Sequence, residues 1–226
     1  ILKKVILKTN KINNYYILIK LKFIRQNIKK INKILFSSVV PSVFSTFKSF
    51  FKKKFNKKCY ELKDIKLNKI INIKVNKKQV GSDRLANAIG VISKNKNFII
   101  VDFGTATTFD VVVKDTYLGG VIAPGVQLSL KTLSSKAKLI PKINLSKNTN
   151  VIGKNTISAV RSGFYWGYAG LIDNIIKLIS KHSKKSYKIV LTGGYSTLFK
   201  SSINSKSLIM KDLTIYGLLS LVKFIK

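Results

Sequence analysis

Apolar and polar positions along the chain fall into short strands and amphipathic helices, arranged in two successive runs. In the first run, residues 1–20 alternate apolar and polar side chains through VILKTN and YYILIK, a period of two that predicts strands. Lys22 to Lys33 predicts a lysine-rich amphipathic helix, and ILFSSVV, residues 34–40, a short buried strand stopped by Pro41. Ser42 to Lys57 is expected to be helical, with Val43, Phe44, Phe47, Phe51 and Phe55 at helical spacing. Strands are expected around Cys59 to Leu62 and Ile70 to Val75. Ser82 to Ser93 then predicts a helix, with Ser82 or Asp83 at its amino end and Leu85, Ala88, Ile89 and Ile92 along one face.

The second run opens with strands FIIV (98–101) and FDVVV (109–113), separated by a Gly/Thr turn. A glycine-rich turn, GGVIAPG (119–125), leads into a helix from Val126 to Leu133. Thr156 to Lys181 predicts one long helix. Lys188 to Leu191 predicts a strand, TGGY (192–195) a turn, and the chain from Leu213 onward a closing helix. Strands bunched ahead of helices in each run imply an α/β fold with two similar lobes, residues 1–97 and 98–226, with no linker composition to mark the boundary.

Composition narrows the function classes. At 226 residues and 46% hydrophobic, the chain can bury one large core or two small ones. No run of 18 uninterrupted apolar residues occurs, so no membrane span or membrane partner is expected, and ILKKVILKTN lacks a hydrophobic block long enough for a signal peptide. Cys59 is the only cysteine, which excludes an internal disulfide and suits a reducing cytosol, so the expected location is cytoplasmic. His182, the only histidine, leaves no Cys/His metal site and falls where the long helix should end, as a helix-end cation.

The net charge of +35 invites a nucleic-acid reading. Arginine, however, is the side chain that grips phosphate and guanine with a planar fork, and only Arg25, Arg84 and Arg161 occur. The remaining 40 of the 43 basic residues are lysines dispersed among isoleucine and asparagine, a compositional bias rather than a binding groove. The Lys52–Lys54 and Lys57–Lys58 patch beside Phe51 and Phe55 is expected to turn its aromatics to a core and its lysines to water. No specific nucleic-acid partner follows, only weak attraction to polyanions and to anionic ATP.

Four stretches could carry chemistry. In VDFGTATTFD (101–110) an apolar strand delivers Asp102 at its carboxyl end, where α/β sites usually lie. Gly104 would admit a ligand close to the backbone and tolerate positive φ, and Thr105, Thr107 and Thr108 would offer hydroxyls and amides to phosphate oxygens. An ordinary hairpin with threonines chosen for β propensity is the alternative. The chain has only eight acidic residues, and that scarcity favours function for Asp102. In GSDRLANAIG (81–90), Asp83 and Arg84 stand at a helix start, where anions are favoured; Asp83 could equally be a cap, while Arg84 argues for gripping a carboxylate. The same argument applies to Arg161. On its helix, Gly163, Gly167 and Gly170 imply close packing against another helix, within the fold or across a dimer, with Tyr165, Trp166 and Tyr168 as packing groups. Thr156 has a hydroxyl for a substrate or for a cap. TGGY is similar to the glycine turn that borders an adenosine pocket.

Taken in order, SSVVP (37–41), GSDR (81–84), VDFGTATTFDVV (101–112), YLGGVIAPG (117–125), VIGKNT (151–156) and TGGY (192–195) resemble the type III pantothenate kinases of the actin-like, ribonuclease H-like ATPase superfamily. The resemblance runs from about residue 30 to the carboxyl end. It implies transfer of a phosphoryl group from ATP to the primary hydroxyl of pantothenate, the first step of coenzyme A biosynthesis. It further implies that Gly81, Ser82, Asp83, Arg84 and Thr156 bind pantothenate, with Asp83 as general base and Arg84 on the substrate's polar end. Gly104 and Thr105 would contact ATP, which brings Mg2+, and Asp102 would ligate a monovalent cation, potassium or ammonium. A homodimer is implied as well.

Two departures stand out. The family's opening strand and Asp-x-Gly-Asn-Thr phosphate loop have no counterpart before residue 37, so the first lobe is expected to be truncated at its amino end. Lys74 and Lys77 stand where the family tends to place tyrosine and proline. A relative without catalysis, acting as a binding or transcription accessory protein, is the competing reading. A charge-driven nucleic-acid binder is the remaining one.

Overall fold

The computed structural model describes Val5, Leu7, residues 9–148 and residues 150–225. The chain divides into two compact units, each discontinuous in sequence. The first takes residues up to Lys69, Lys78–Gly90 and the chain from Thr214 on; the second takes Ile70–Lys77 and Val91–Leu213. The division is therefore not a single cut near residue 97.

The first unit begins with α1 (Asn14–Lys20) and α2 (Lys22–Asn27). The strand expected over YYILIK is thus a helix. Asn13 overrides the β propensity of that stretch by accepting the Tyr16 N–H on its side chain, the N-cap that starts α1. Of the preceding strand expectation, residues 1–4, 6 and 8 lie outside the described residues, and Thr9–Lys11 form a short 3-10 turn. Strand β1 (Ile34–Phe36) pairs in parallel with β2 (Cys59–Glu61). Between them runs α3 (Pro41–Phe55), opened by a proline at its first position and closed by Asn56 in the left-handed region at φ 50°. Phe47, Phe50, Phe51, Cys59 and Ile17 form this unit's aromatic core, while Lys52, Lys53 and Lys54 stay in water as the spacing required.

The second unit is built on a six-stranded sheet. Its strands are β3 (Asn72–Ile73), β4 (Asn97–Phe103), β5 (Ala106–Val113), β6 (Thr116–Pro124), β7 (Lys188–Gly193) and β8 (Ser207–Ile209), in the order β3-β6-β5-β4-β7-β8. Helix α4 (Ser82–Val91) precedes β4 in sequence; α5 (Val126–Lys136) and the long α6 (Thr156–Ser183) follow β6; α7 (Ser196–Phe199) follows β7, and α8 (Leu213–Leu221) ends the fold. Residues 119–124 are strand rather than turn. The glycines there serve the sheet edge: Gly119, at φ +109°, sits where the β5–β6 register shifts between Val111 and Val112. One sheet face, with Ile99, Val101, Phe103 and Phe109, packs against Tyr165, Ala169, Ile172 and Ile176 of α6. Their period-two and period-3.6 spacings are the ones a sheet-on-helix interface needs.

Candidate functional site

The GSDR segment of the first unit forms the amino end of α4. Ser82 is 1% exposed, and its hydroxyl donates to Glu61 Oε1 at the end of β2. Glu61 also accepts the Lys63 N–H on Oε2 and lies 3.5 Å from the Ser38 N–H. Asp83 Oδ1 accepts the Arg84 N–H at 2.8 Å; its other oxygen takes no hydrogen bond among the described residues. One carboxylate oxygen is thus turned back on the neighbouring amide, which is not the bond an N-cap makes two or three residues on, and the other remains available to a ligand. A Cβ on Gly81 would overlap Asp83 Oδ1, so a side chain there would push the carboxylate out of its place. Behind the site, α4 is clamped to α8. Thr214 Oγ1 donates to the buried Asn87 Oδ1 at 2.7 Å, and Gly217 lies so close to the Ala86 carbonyl that a side chain would not fit.

In the second unit, VDFGTATTFD is a β-hairpin: β4 and β5 are antiparallel, with Asp102 opposite Thr108 and Phe103 opposite Thr107. The expectation that all three threonines present hydroxyls in the turn is corrected. Thr107 is buried with its hydroxyl unpartnered among the described residues, and Thr108 donates to Asp110 Oδ2 at 3.3 Å. Only Gly104 and Thr105 are exposed at the turn. Gly104 does not take positive φ either. A Cβ there would meet Ala106 O only at 3.5 Å, so nothing within the chain demands glycine at that point.

The constraint falls on two other glycines. A Cβ on Gly125 would overlap the Thr105 carbonyl, and one on Gly193, at φ +83°, would collide with Asp102 Oδ1 and the Phe103 backbone. β6 and β7 therefore press their glycines against the hairpin turn, and Gly194 N–H donates to Phe103 O at 3.0 Å. The two acids of the motif part ways. Asp110 is buried and accepts from Tyr117 OH at 2.7 Å, spent within the sheet, whereas Asp102 is half-buried at the strand's carboxyl end beside Gly104 and Gly193.

Thr156 is the first residue of α6 and is exposed. Capping falls to Asn155, whose side chain accepts the Ser158 N–H at 2.9 Å, so the Thr156 hydroxyl has no capping duty. Arg161 does not grip a carboxylate: its Nε donates to the Asn144 carbonyl at 3.2 Å and holds a loop. A Cβ on Gly163, Gly167 or Gly170 would meet nothing within 4 Å. Packing against another helix of the same chain does not explain them. Tyr165 is buried against Phe199, and Tyr168 OH donates to Ser129 Oγ at 2.9 Å, both in packing roles. Tyr195 of TGGY donates its hydroxyl to Gln127 on α5, and burial raises its pKa above the usual phenol value. Lys74, just past β3, is exposed, and its N–H donates to Tyr117 O at 3.0 Å.

Each unit thus presents one candidate feature: in the first a carboxylate at a helix amino end, in the second a carboxylate beside an exposed glycine turn. A family model for type III pantothenate kinase matches residues 5–178. The chain belongs to the type III pantothenate kinase family. A type III pantothenate kinase of Pelagibacter ubique (strain HTCC1062) is 60% identical over 226 residues, which is all of this chain and 91% of the relative. One of Sulfurihydrogenibium sp. (strain YO3AOP1) is 39% identical across 90% of this chain and 82% of its own length. Among solved structures, one described as a Baf family transcriptional activator from Campylobacter jejuni superposes with a TM-score of 0.60 at 21% identity, covering 88% of this chain and 87% of that one. At that identity the likeness is one of fold alone. An ethanolamine utilization protein EutJ from Carboxydothermus hydrogenoformans superposes with a TM-score of 0.50 at 12% identity, over 95% of this chain and 77% of that one, again a likeness of fold.

Glu61 was not singled out in the sequence, and Gly125, Gly193 and Asn155 were read only as members of YLGGVIAPG, TGGY and VIGKNT, with no role of their own. For Glu61 a signal existed: it is the only glutamate in the chain, and the scarcity that singled out Asp102 applied to it equally.

Proposed function

We propose that this chain transfers the γ-phosphoryl group of ATP to the primary hydroxyl of pantothenate, the first step of coenzyme A biosynthesis. Family membership carries the reading, and the half-free carboxylate of Asp83 at a helix amino end supplies the base it needs. Asp83 takes the hydroxyl proton as that oxygen bonds to the γ-phosphorus; the bond from the γ-phosphorus to the bridging oxygen breaks and ADP leaves. Gly81 and Arg84 hold pantothenate beside the base; Ser82, expected as a further contact, is buried with its hydroxyl on Glu61 and so cannot touch substrate, while the exposed Thr156 hydroxyl is available to it.

The Gly104 N–H is held by the Ala106 carbonyl, so the open turn offers the Thr105 N–H and hydroxyl to ATP phosphates, with Gly104 leaving room for them to approach. ATP brings Mg2+. Asp102, half-buried at the carboxyl end of β4, is the candidate ligand for a monovalent cation, potassium or ammonium. The bare glycines of α6 favour a second copy of the chain as the missing packing partner, giving a homodimer. The single cysteine, Cys59, suits a reducing compartment, and we assign the enzyme to the cytoplasm on that ground.

The test is phosphopantothenate formation by the full chain with ATP, Mg2+ and pantothenate, with and without potassium, alongside the mass in solution. Product formation stimulated by potassium, from a species of twice the chain mass, is expected. No product at saturating substrates refutes the kinase reading.

A further inference from the structure

Two features of the first unit are not used by the reaction as described: SSVVP, and the chain's only glutamate. They meet in space. β1 and β2 are parallel, with Phe36 opposite Glu61, so both strands finish at the same end of their sheet, where ligand sites of α/β folds form. Three segments converge there: the Ser37–Val40 loop after β1, the turn at Lys63 after β2, and the start of α4.

We infer that Glu61 is a positioning residue that fixes Ser82, and through it Asp83, against the carboxyl ends of β1 and β2 so that pantothenate meets the base in register. The inference rests on the kinase reading above. Glu61 is bonded to all three segments: it accepts the Ser82 hydroxyl on Oε1, faces the Ser38 N–H with the same oxygen, and accepts the Lys63 N–H on Oε2. Ser82 is fully enclosed, so its hydroxyl proton has no water to turn to and its bond fixes the first turn of α4. Arg84 N–H then fixes one Asp83 oxygen. The β1 loop closes on the same point, since Val39 Cγ1 lies 3.4 Å from where a Cβ on Gly81 would stand. A carboxylate at this point also complements the positive amino end of α4. Glutamine keeps the shape but replaces one acceptor with a donor that faces the Lys63 N–H. The hub should loosen without collapsing.

The experiment is steady-state kinetics, varying pantothenate and ATP separately, on wild type, Glu61→Gln, Glu61→Ala and Ser82→Ala, with thermal unfolding of each. Displacing a reacting group by a fraction of an ångström costs about tenfold or more, so Glu61→Gln and Ser82→Ala should lower kcat/KM for pantothenate by at least about tenfold while KM for ATP stays within about twofold. Glu61→Gln should recover part of what Glu61→Ala loses. Ser82→Ala, which deletes one hydroxyl and leaves the bonds to Ser38 and Lys63, tests the tie even if Glu61→Ala does not fold. Wild-type kinetics in Glu61→Gln and Ser82→Ala, or equal losses for both substrates, overturn the inference alone. An inactive wild type overturns the kinase reading and this inference with it.

Discussion

The two units hold their site loops by different means. In the first, a two-stranded sheet backed by phenylalanines supports the GSDR segment, and polar side chains fix it: Glu61 to Ser82, and Thr214 to Asn87 behind. In the second, a six-stranded sheet with a mostly aliphatic core supports the VDFGT turn, and backbone pressed on backbone fixes it through Gly125 and Gly193. A side-chain hydrogen bond can be deleted without strain, whereas a glycine contact can only be violated by adding atoms. Substitution of Asp83, which is not buried, should therefore change chemistry at nearly constant stability, whereas adding atoms at the glycines of the second turn should cost stability and nucleotide binding together.

Asp83→Asn is the severest test of the first half of that contrast. Asparagine can still accept the Arg84 N–H through its oxygen, so the melting temperature should hold, while loss of the base should lower kcat by about a hundredfold to ten-thousandfold. ADP release on pantothenate addition measures it. Turnover at the wild-type rate would remove Asp83 as the base and leave the first loop with a binding role only.

Gly125→Ala should give the next largest effect, and in the other currency. Its methyl group would overlap the Thr105 carbonyl, so hairpin or helix α5 must shift. Overpacking of this kind costs about 1–3 kcal/mol, which for a chain of this size lowers Tm by roughly 2–12 °C. KM for ATP should rise with it. Gly104→Ala is the control within the same turn. It meets Ala106 O at only 3.5 Å, so Tm should stay put and only ATP binding should suffer. Equal stability losses in the two variants would mean that the turn is not held by close backbone contact.

The difference between the units also explains what could be read in advance. Long periodic elements were legible: the aromatic stripe of α3, the buried face of α4, strands β4 and β7, and α6 with its end at His182. Short elements decided by one residue were not. Asn13 turned a strand-like stretch into α1, and the bulge at Gly119 kept a glycine-rich stretch in the sheet. The three residues of β8 carry too little pattern to predict alone and exist because β7 offers an edge. Within the site, Asp83, Arg84 and Asp102 could be picked out by charge type and scarcity. Glu61 could not be connected to them, because its partner Ser82 is 21 residues away and no local spacing announces the bond. Gly125 and Gly193 were hidden for a related reason: which glycine matters depends on which strands press on the turn.

The smallest effect expected belongs to the aromatic core of the first unit. Cys59 opens β2, two residues before Glu61, and is buried beside Phe47, Phe50 and Phe51. Burial disfavours the thiolate and lifts the thiol pKa to about 11 from an ordinary 9.0, against the smaller opposing pull of Lys48. Between those two values the folded chain keeps a proton that the unfolded chain has lost, so unfolding releases a proton and becomes easier as pH rises. The thiol's contribution is complete below pH 9.0 and fades as pH climbs towards about 11. Lysines and tyrosines titrate over the same range, so the measurement is a difference: the Tm of wild type minus that of Cys59→Ala, taken from pH 8 to 11. That difference should be constant up to about pH 9 and shrink above it. A difference that stays flat to pH 11 would mean the thiol is not kept neutral by its surroundings, and the phenylalanine core would then be less closed to water than its side-chain packing implies.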